Sequence, residues 1–141
     1  MSSQERAKVY LSVRLRHPFQ TVDDLADSVG LAPDVAHQVG DRKRNRAGLE
    51  LGGVYAETYL VYRMPARSQH QIGELIEEGV AWVECKSERM RTFRATGGTV
   101  ELYLTVEVAE HCGVELRSEV LSKVSDLGVR ISLEMIPLLS D

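Results

Sequence analysis

A run of basic side chains between two glycines is the part of the sequence with the clearest potential for chemistry. Residues 37–48 read HQVGDRKRNRAG, in which Asp41 precedes four cations: Arg42, Lys43, Arg44 and Arg46. Guanidinium groups and backbone amides in such a run can bind a phosphate or an acidic protein. The run lacks the GxxxxGK[ST] spacing of a phosphate-binding loop, and it precedes a predicted strand instead of opening a helix. A solvated loop, a site for an anionic partner and a nucleotide site stay open as interpretations.

The acidic balance of the whole chain argues against nucleic acid and membrane as partners. The formal net charge is −4, from 17 cations and 21 anions, so the basic run is a local feature of an acidic body. Glu101 and Glu107 flank Tyr103 on a predicted strand, where carboxylates would repel the phosphates of an RNA. The longest apolar stretch is far shorter than the roughly 20 residues that span a membrane. We therefore expect neither partner.

Histidine and cysteine offer little for metal binding or catalysis. The four histidines occur singly, without HxxxH, HExxH or CxxC spacing, so we expect no metal and no cofactor. Cys112 with His17 or His111 could form a thiol–imidazole pair if the ends of the two central strands lie side by side. The alternative function is therefore an enzyme or small-molecule sensor with a pocket near these three residues. Two cysteines make no disulfide framework, which indicates reduced thiols in a cytoplasmic protein.

Hydrophobic periodicity predicts the elements that must position these side chains. Period-two alternation in residues 8–16, 99–109 and 130–136 predicts strands, as does the aromatic and β-branched run 54–64, and a short strand is expected at 35–39. Helical spacing with capping signals predicts helices over 22–29, 72–83, 87–96 and 116–127. The apolar sides of these elements should share one core, with these members: Leu11, Val13, Ile76, Leu104, Val106, Leu121 and Leu133.

The order of the elements predicts a ferredoxin-like α+β sandwich, which is a mostly antiparallel sheet with helices on one face. VYLSVRL at 9–15 resembles LYLTVEV at 102–108, and each is followed by a histidine, a helix and a glycine-terminated turn. This repeat indicates an internal βαβ duplication. A single domain is expected over residues 7–137, with residues 1–6 and 138–141 as terminal tails.

The second face of this sheet would stay open, and its residues favour a protein interface. The candidates for partner binding are Tyr10, Arg14, Tyr59, Arg63, Tyr103 and Glu107. Tyrosine and arginine mixed with charges of both signs are typical of interfaces, although a merely solvated antiparallel face is the other interpretation. Arg14 and Glu107 are expected to pair, within the sheet or across a two-fold axis.

Several short motifs occur in a fixed order along nearly the whole chain. After the opening strand come a helix that ends in VGL followed by Pro33-Asp34, then Gly40-Asp41 before the basic run, and LG before the closing strand. This order resembles a bacterial family of domains of unknown function, number 4279. The family often has a tryptophan after the basic run, where Tyr55 is the nearest aromatic residue here. The resemblance implies a small α+β bacterial domain and supplies no activity, cofactor or substrate.

These observations together predict a non-enzymatic cytoplasmic interaction domain. Its partner would be a second copy, bound through the open sheet face or a sheet edge, or another protein. An immunity or regulatory protein that occupies a partner's surface would use the same features. The enzyme or sensor alternative instead requires a concave pocket with convergent polar groups and a strongly shifted titratable residue.

Overall fold

The computed structural model describes residues 7–138, so the expected tail at 1–6 and all but the first residue of the expected tail at 138–141 lie outside this range. The strands in this range are β1 (Lys8–His17), β2 (Val35–His37), β3 (Arg42–Arg44), β4 (Glu50–Val54), β5 (Thr58–Arg63), β6 (Arg67–Ser68), β7 (Thr99–Val108) and β8 (Val129–Pro137). The helices are α1 (Val22–Val29), α2 (Ile72–Glu84), α3 (Ser87–Ala95) and α4 (Ser118–Leu127). The helical and alternating patterns of the sequence therefore placed the four helices and the strands β1, β2, β5, β7 and β8 within a few residues, whereas β3, β4 and β6 were not predicted.

Local sequence explains where the helices begin and end. The Thr21 side chain accepts a hydrogen bond of 3.1 Å from the backbone N of Asp24 at the start of α1. Ser68 and Gln71 form the predicted capping box in the 3₁₀ turn that precedes α2. Gly128 ends α4 at φ 66°, a left-handed conformation that favours glycine.

The main sheet has the strand order β2-β5-β1-β7-β8, and β6 pairs with the first residues of β1. Strands β5 and β7 flank β1, and both run antiparallel to it. Strand β2 is antiparallel to β5, whereas β7 and β8 are parallel and are connected by α4. The fold is therefore mixed α+β with a mostly antiparallel sheet, as the sequence predicted.

The core lies between one face of this sheet and the helices. Five of the seven predicted core residues are buried there: Leu11, Val13, Ile76, Leu104 and Val106. The prediction was wrong for Leu121 and Leu133, which are 48% and 50% exposed. Leu133 lies beside the buried Leu104 and points to the same face, but β8 is the last strand of the sheet. The alternation therefore identified its face correctly, and its position at the edge leaves it uncovered.

The basic run belongs to a β-hairpin, not to an irregular loop. Strands β3 and β4 pair antiparallel in a separate two-stranded sheet. Between them, the Asn45 side chain accepts hydrogen bonds of 2.9 Å from the backbone N atoms of Ala47 and Leu49. The single strand predicted over residues 54–64 was wrong at its start, because Val54 ends β4 and β5 begins at Thr58.

Candidate protein-interaction face

The face of the main sheet opposite the core is defined by the alternate residues of β1. Tyr10, Ser12, Arg14 and Arg16 lie on it, between residues that are buried against the helices. Tyr10 is 44% exposed, whereas the other three are partly covered by their neighbours on the same face. We call this surface the open face. Its side chains contact one another across strands instead of extending separately into solvent.

Arg14 stacks on an aromatic ring of the neighbouring strand. Its guanidinium carbon lies 3.6 Å from the centroid of the Tyr103 ring, and its Nε donates a 3.2 Å hydrogen bond to Ser12 Oγ. A guanidinium over a tyrosine ring gains a cation–π interaction while its remaining N–H groups stay available for a partner. This contact joins two residues that the sequence predicted for partner binding.

The predicted pairing of Arg14 with Glu107 inside the sheet was wrong. Because β1 and β7 are antiparallel, the residue opposite Arg14 is Glu101. Glu107 lies near the other end of the pair, where its Oε1 accepts a 2.9 Å hydrogen bond from the backbone N of Lys8. Alternation along one strand reports which face a residue is on, but not which residue lies beside it.

The carboxylate of Glu101 connects three strands of the open face. It accepts hydrogen bonds from Arg16 Nη1 at 3.2 Å and from Ser132 Oγ at 2.6 Å. Burial raises the pKa of Glu101, but the hydrogen bonds from Ser132 and Arg16 and the positive charges of Arg16 and Arg14 outweigh it, so that its pKa falls below the ordinary value. The group therefore stays ionised and holds Arg16 in place.

A second stack extends from Arg16 toward the hairpin. The guanidinium carbon of Arg16 is 4.8 Å from the Tyr59 ring centroid. The His37 ring lies nearly parallel to that of Tyr59 at 6.1 Å, and it stacks on Tyr55 at 4.4 Å. Lys43 Nζ of β3 is 5.9 Å from the Tyr55 ring. His37 was not among the residues predicted for this face, although its spacing from Val35 on a short strand indicates the side to which it points.

The other predicted interface residues lie around these stacks. The Tyr103 hydroxyl donates a hydrogen bond to Glu134 on β8, and this bond, with burial and the negative charge of the acceptor, raises the pKa of Tyr103. Arg63 is exposed at the end of β5, opposite Ser12. Thus Arg14, Tyr59 and Tyr103 take part in the stacks, and Tyr10, Arg63 and Glu107 lie outside them.

The basic hairpin is exposed along both of its strands. Glu50 Oε1 lies 3.2 Å from Arg42 Nη1 and 3.4 Å from Arg44 Nη2, so one carboxylate partly neutralises two of the cations. The Asp41 backbone carbonyl accepts a 2.9 Å hydrogen bond from Tyr55 N and ties the base of the hairpin together. Arg46 is exposed in the turn between β3 and β4. An open concavity of about 450 Å³ separates the hairpin from β2.

The residues of the enzymatic alternative lie at opposite ends of the sheet. His17 ends β1 close to the point where β7 begins, whereas His111 and Cys112 follow the far end of β7. The ten residues of β7 at about 3.3 Å each separate the two positions by roughly 30 Å. The predicted pocket near all three residues was therefore wrong, because it required central strands that end on the same side.

His17 has a structural role in this fold. Its side chain is fully buried, and its Nδ1 accepts hydrogen bonds from the backbone N atoms of Phe19 and Gln20 at 3.2 and 3.1 Å. Nδ1 therefore carries no proton, and Nε2 donates to Thr96 Oγ1 at 2.8 Å. Burial lowers the pKa of His17, which favours this neutral ring. Both nitrogens are engaged within the protein, so neither is available to a substrate.

A cavity near His17 lies between α1 and α3. It measures about 200 Å³, and its walls are mostly apolar, including Leu15, Leu25 and Phe93. Arg89 at its rim donates a 2.7 Å hydrogen bond to the backbone carbonyl of Ser28 at the end of α1. Small-molecule sites usually begin near 300 Å³ and bring several polar groups together. This cavity therefore gives little support to a sensor or enzyme.

Comparisons with known proteins assign no family to the chain. No protein-family model, curated protein or solved structure matches it. Among the helices between residues 7 and 138, none has the length and apolar character needed to cross a membrane. In the same part of the chain, His, Cys, Asp and Glu side chains form no group of three that could hold a metal ion.

Proposed function

We propose that this protein is a non-enzymatic cytoplasmic interaction domain that binds a protein partner through the open face of its main sheet. The observation that carries the proposal is the pair of stacks, Arg14 on Tyr103 and Arg16 on Tyr59, together with the hydrogen bonds that hold them. Tyrosine and arginine are enriched among the few residues that dominate the binding energy of protein interfaces. Side chains that are already ordered lose less conformational entropy when a partner binds.

The charges of the open face indicate the chemistry of the partner. The arginine side chains alternate with the carboxylates of Glu57, Glu101 and Glu134, so both signs are present within a short distance. A phosphate backbone would meet these carboxylates and be repelled. A protein surface that itself carries both signs can match such a pattern. The partner is therefore a protein, either a second copy or another chain, as an immunity or regulatory protein would require.

We also propose that the fold is ferredoxin-like with an internal duplication. The order β2-β5-β1-β7, with antiparallel neighbours and with helices between β1 and β2 and between β5 and β7, supports a ferredoxin-like arrangement. The α4–β8 unit extends this arrangement by one parallel strand. In β1–α1–β2 and in β7–α4–β8 the two strands run in the same direction, which supports the internal duplication. Membership of the family numbered 4279 rests on the sequence motifs alone.

The test compares two variants of the immobilised protein in capture from an extract of the organism that carries the gene. The face variant combines Tyr10→Asp with Tyr103→Asp, and the matched control combines Arg42→Ser, Lys43→Ser and Arg44→Ser in the hairpin. We expect wild type and control to retain the same protein and the face variant to lose it. Equal capture by all three would contradict the open face as the binding surface. If circular dichroism shows that the double variant is unfolded, Tyr10→Asp alone replaces it, because Tyr10 is exposed.

A further inference from the structure

Strand β8 forms a long edge of the main sheet, with no further strand beside it in the part of the chain that the structure describes. It is nine residues long and pairs on one side with β7, in continuous register from Val129 to Pro137 without a bulge. The opposite edge strand, β2, has three residues. Proteins usually protect sheet edges with short strands, bulges, prolines or charged side chains, above all lysine. Strand β8 contains no lysine, its one proline is its last residue, and its two charged residues, Arg130 and Glu134, have opposite signs.

The apolar side of β8 is exposed where the neighbouring strand is fully buried. Leu133 and Met135 are 50% and 59% exposed, whereas Leu104 and Val106 beside them on β7 are buried completely. The apolar layer of the core therefore continues onto β8, where no helix or strand between residues 7 and 138 covers it. A second strand laid along this edge would bury these side chains and satisfy the backbone groups that point away from β7.

The sequence of β8 is complementary to itself. Residues 129–135 read VRISLEM, so that Arg130 and Glu134 stand at equal distances from Ser132 on the open face. Apolar residues occupy positions 129, 131, 133 and 135 on the other face. In an antiparallel pair with its two-fold axis at Ser132, Arg130 of each copy would face Glu134 of the other. Apolar residues would face apolar residues throughout.

We propose that β8 pairs antiparallel with β8 of a second copy, about a two-fold axis at Ser132, so that the two sheets become one. This inference goes beyond the proposed function, which uses the open face, because it assigns self-association to the sheet edge. The symmetric placement of one cation, one anion and four apolar residues selects a second copy over an unrelated strand. Glu134 can bind both Tyr103 and the incoming Arg130, since a carboxylate has two acceptor oxygens.

The size of this contact predicts its strength. With the axis at Ser132, residues 129–135 of each copy lie opposite each other, an edge of seven residues that is roughly 23 Å long. Such an edge lies at the low end of interface sizes, near or below about 1,200 Å² in total. We therefore expect a dimer that dissociates at micromolar concentrations. Sedimentation velocity over a dilution series from about 1 μM to about 1 mM covers the range in which such a dimer forms and dissociates.

A charge exchange between two variants tests the pairing and its register. In a dimer of the Arg130→Glu variant, the glutamate introduced in each copy faces Glu134 of the other copy, so two like-charged pairs form. In a dimer of the Glu134→Arg variant, the introduced arginines face Arg130 in the same way. Each variant alone should therefore dimerise at least about tenfold more weakly than wild type. In an equimolar mixture, a dimer with one copy of each variant contains one pair of the introduced glutamate with the introduced arginine and one native pair of Arg130 with Glu134. We expect the mixture to dimerise within a few-fold of the wild-type affinity, which no effect inside one chain could produce.

Two further variants separate this inference from the proposed function. Leu133→Lys at an exposed position should abolish the dimer while leaving the circular dichroism spectrum unchanged. The single face substitution Tyr10→Asp on β1 leaves the hydrogen bond from Tyr103 to Glu134 in place, so this variant should dimerise as wild type does. A monomeric wild type, a dimer lost in Tyr10→Asp but kept in Leu133→Lys, or a charge-exchanged mixture that stays monomeric would each overturn the edge pairing. Partner capture through the open face would still stand in all three cases.

Discussion

Leu104 on β7 and Leu133 on β8 are neighbours in the sheet and point to the same face, yet Leu104 is fully buried and Leu133 is half exposed. The difference comes from what lies above them. Leu104 is part of the core formed with the helices, whereas Leu133 sits on the edge strand. Two residues of one type, on adjacent strands, therefore make a matched pair for measuring the value of burial.

We expect Leu104→Ala to lower the free energy of unfolding by about 2–5 kcal/mol, because it leaves a cavity in a closely packed core. Leu133→Ala should lower it by less than about 1 kcal/mol, because the side chain is already half solvated. Urea denaturation at low micromolar protein concentration, where the proposed dimer is dissociated, measures both values. Similar losses for the two variants would show that the core has been placed incorrectly.

Replacing either of two glycines of α2 with alanine should change the stability of the protein in opposite directions. A Cβ at Gly79 would lie 2.6 Å from Leu11 Cδ2 and 3.2 Å from Leu102 Cδ2, both on buried side chains, whereas at Gly73 the nearest atoms are 3.8 Å away. Gly79→Ala should therefore destabilise the protein by about 1–3 kcal/mol through overpacking. Gly73→Ala should stabilise it by up to about 1 kcal/mol, because alanine favours the helix. Thermal unfolding distinguishes the two signs, and stabilisation by both substitutions would contradict the close contact of α2 with β1.

Burial of neutral His17 predicts a loss of stability in mild acid. Its pKa is lowered in the folded protein, while in the unfolded chain it returns to about 6.5. Below that value the unfolded state binds a proton that the folded state resists, so the free energy of unfolding falls as the pH drops from about 6.5 toward the folded pKa. His17→Gln should be less stable at neutral pH and should lose this part of the pH dependence. An unchanged pH profile in the variant would contradict the assignment.

The basic hairpin should contribute little to folding. Replacing Arg42, Lys43 and Arg44 with serine removes two exposed ion pairs to Glu50, so the free energy of unfolding should change by about 0.5 kcal/mol or less. Urea denaturation measures this change. Salt-dependent binding of RNA or DNA that disappears in the variant would show that nucleic acid was wrongly excluded. Loss of an acidic protein partner would instead support the hairpin as an anion site.

The sequence by itself determined the helices, most strands of the main sheet and the two faces of the central strands. Strict alternation in β1 and β7 placed Tyr10, Arg14 and Tyr103 on one side and the buried leucines and valines on the other. The capping residue Thr21 marked the start of α1, and Ser68 marked the start of the 3₁₀ turn that leads into α2. These features depend on interactions between residues a few positions apart, so a short stretch of sequence is enough to predict them.

Only the tertiary structure decided which residues meet. The antiparallel direction of β1 and β7 places Glu101 opposite Arg14 and carries His17 far from His111 and Cys112. The position of β8 at the edge leaves Leu133 exposed despite its apolar alternation. The stack of His37 on Tyr55 joins segments that no local pattern connects. Periodicity indicates the face of the sheet to which a residue points. Strand order and direction instead depend on contacts between distant segments, and these contacts form only when the whole core packs together.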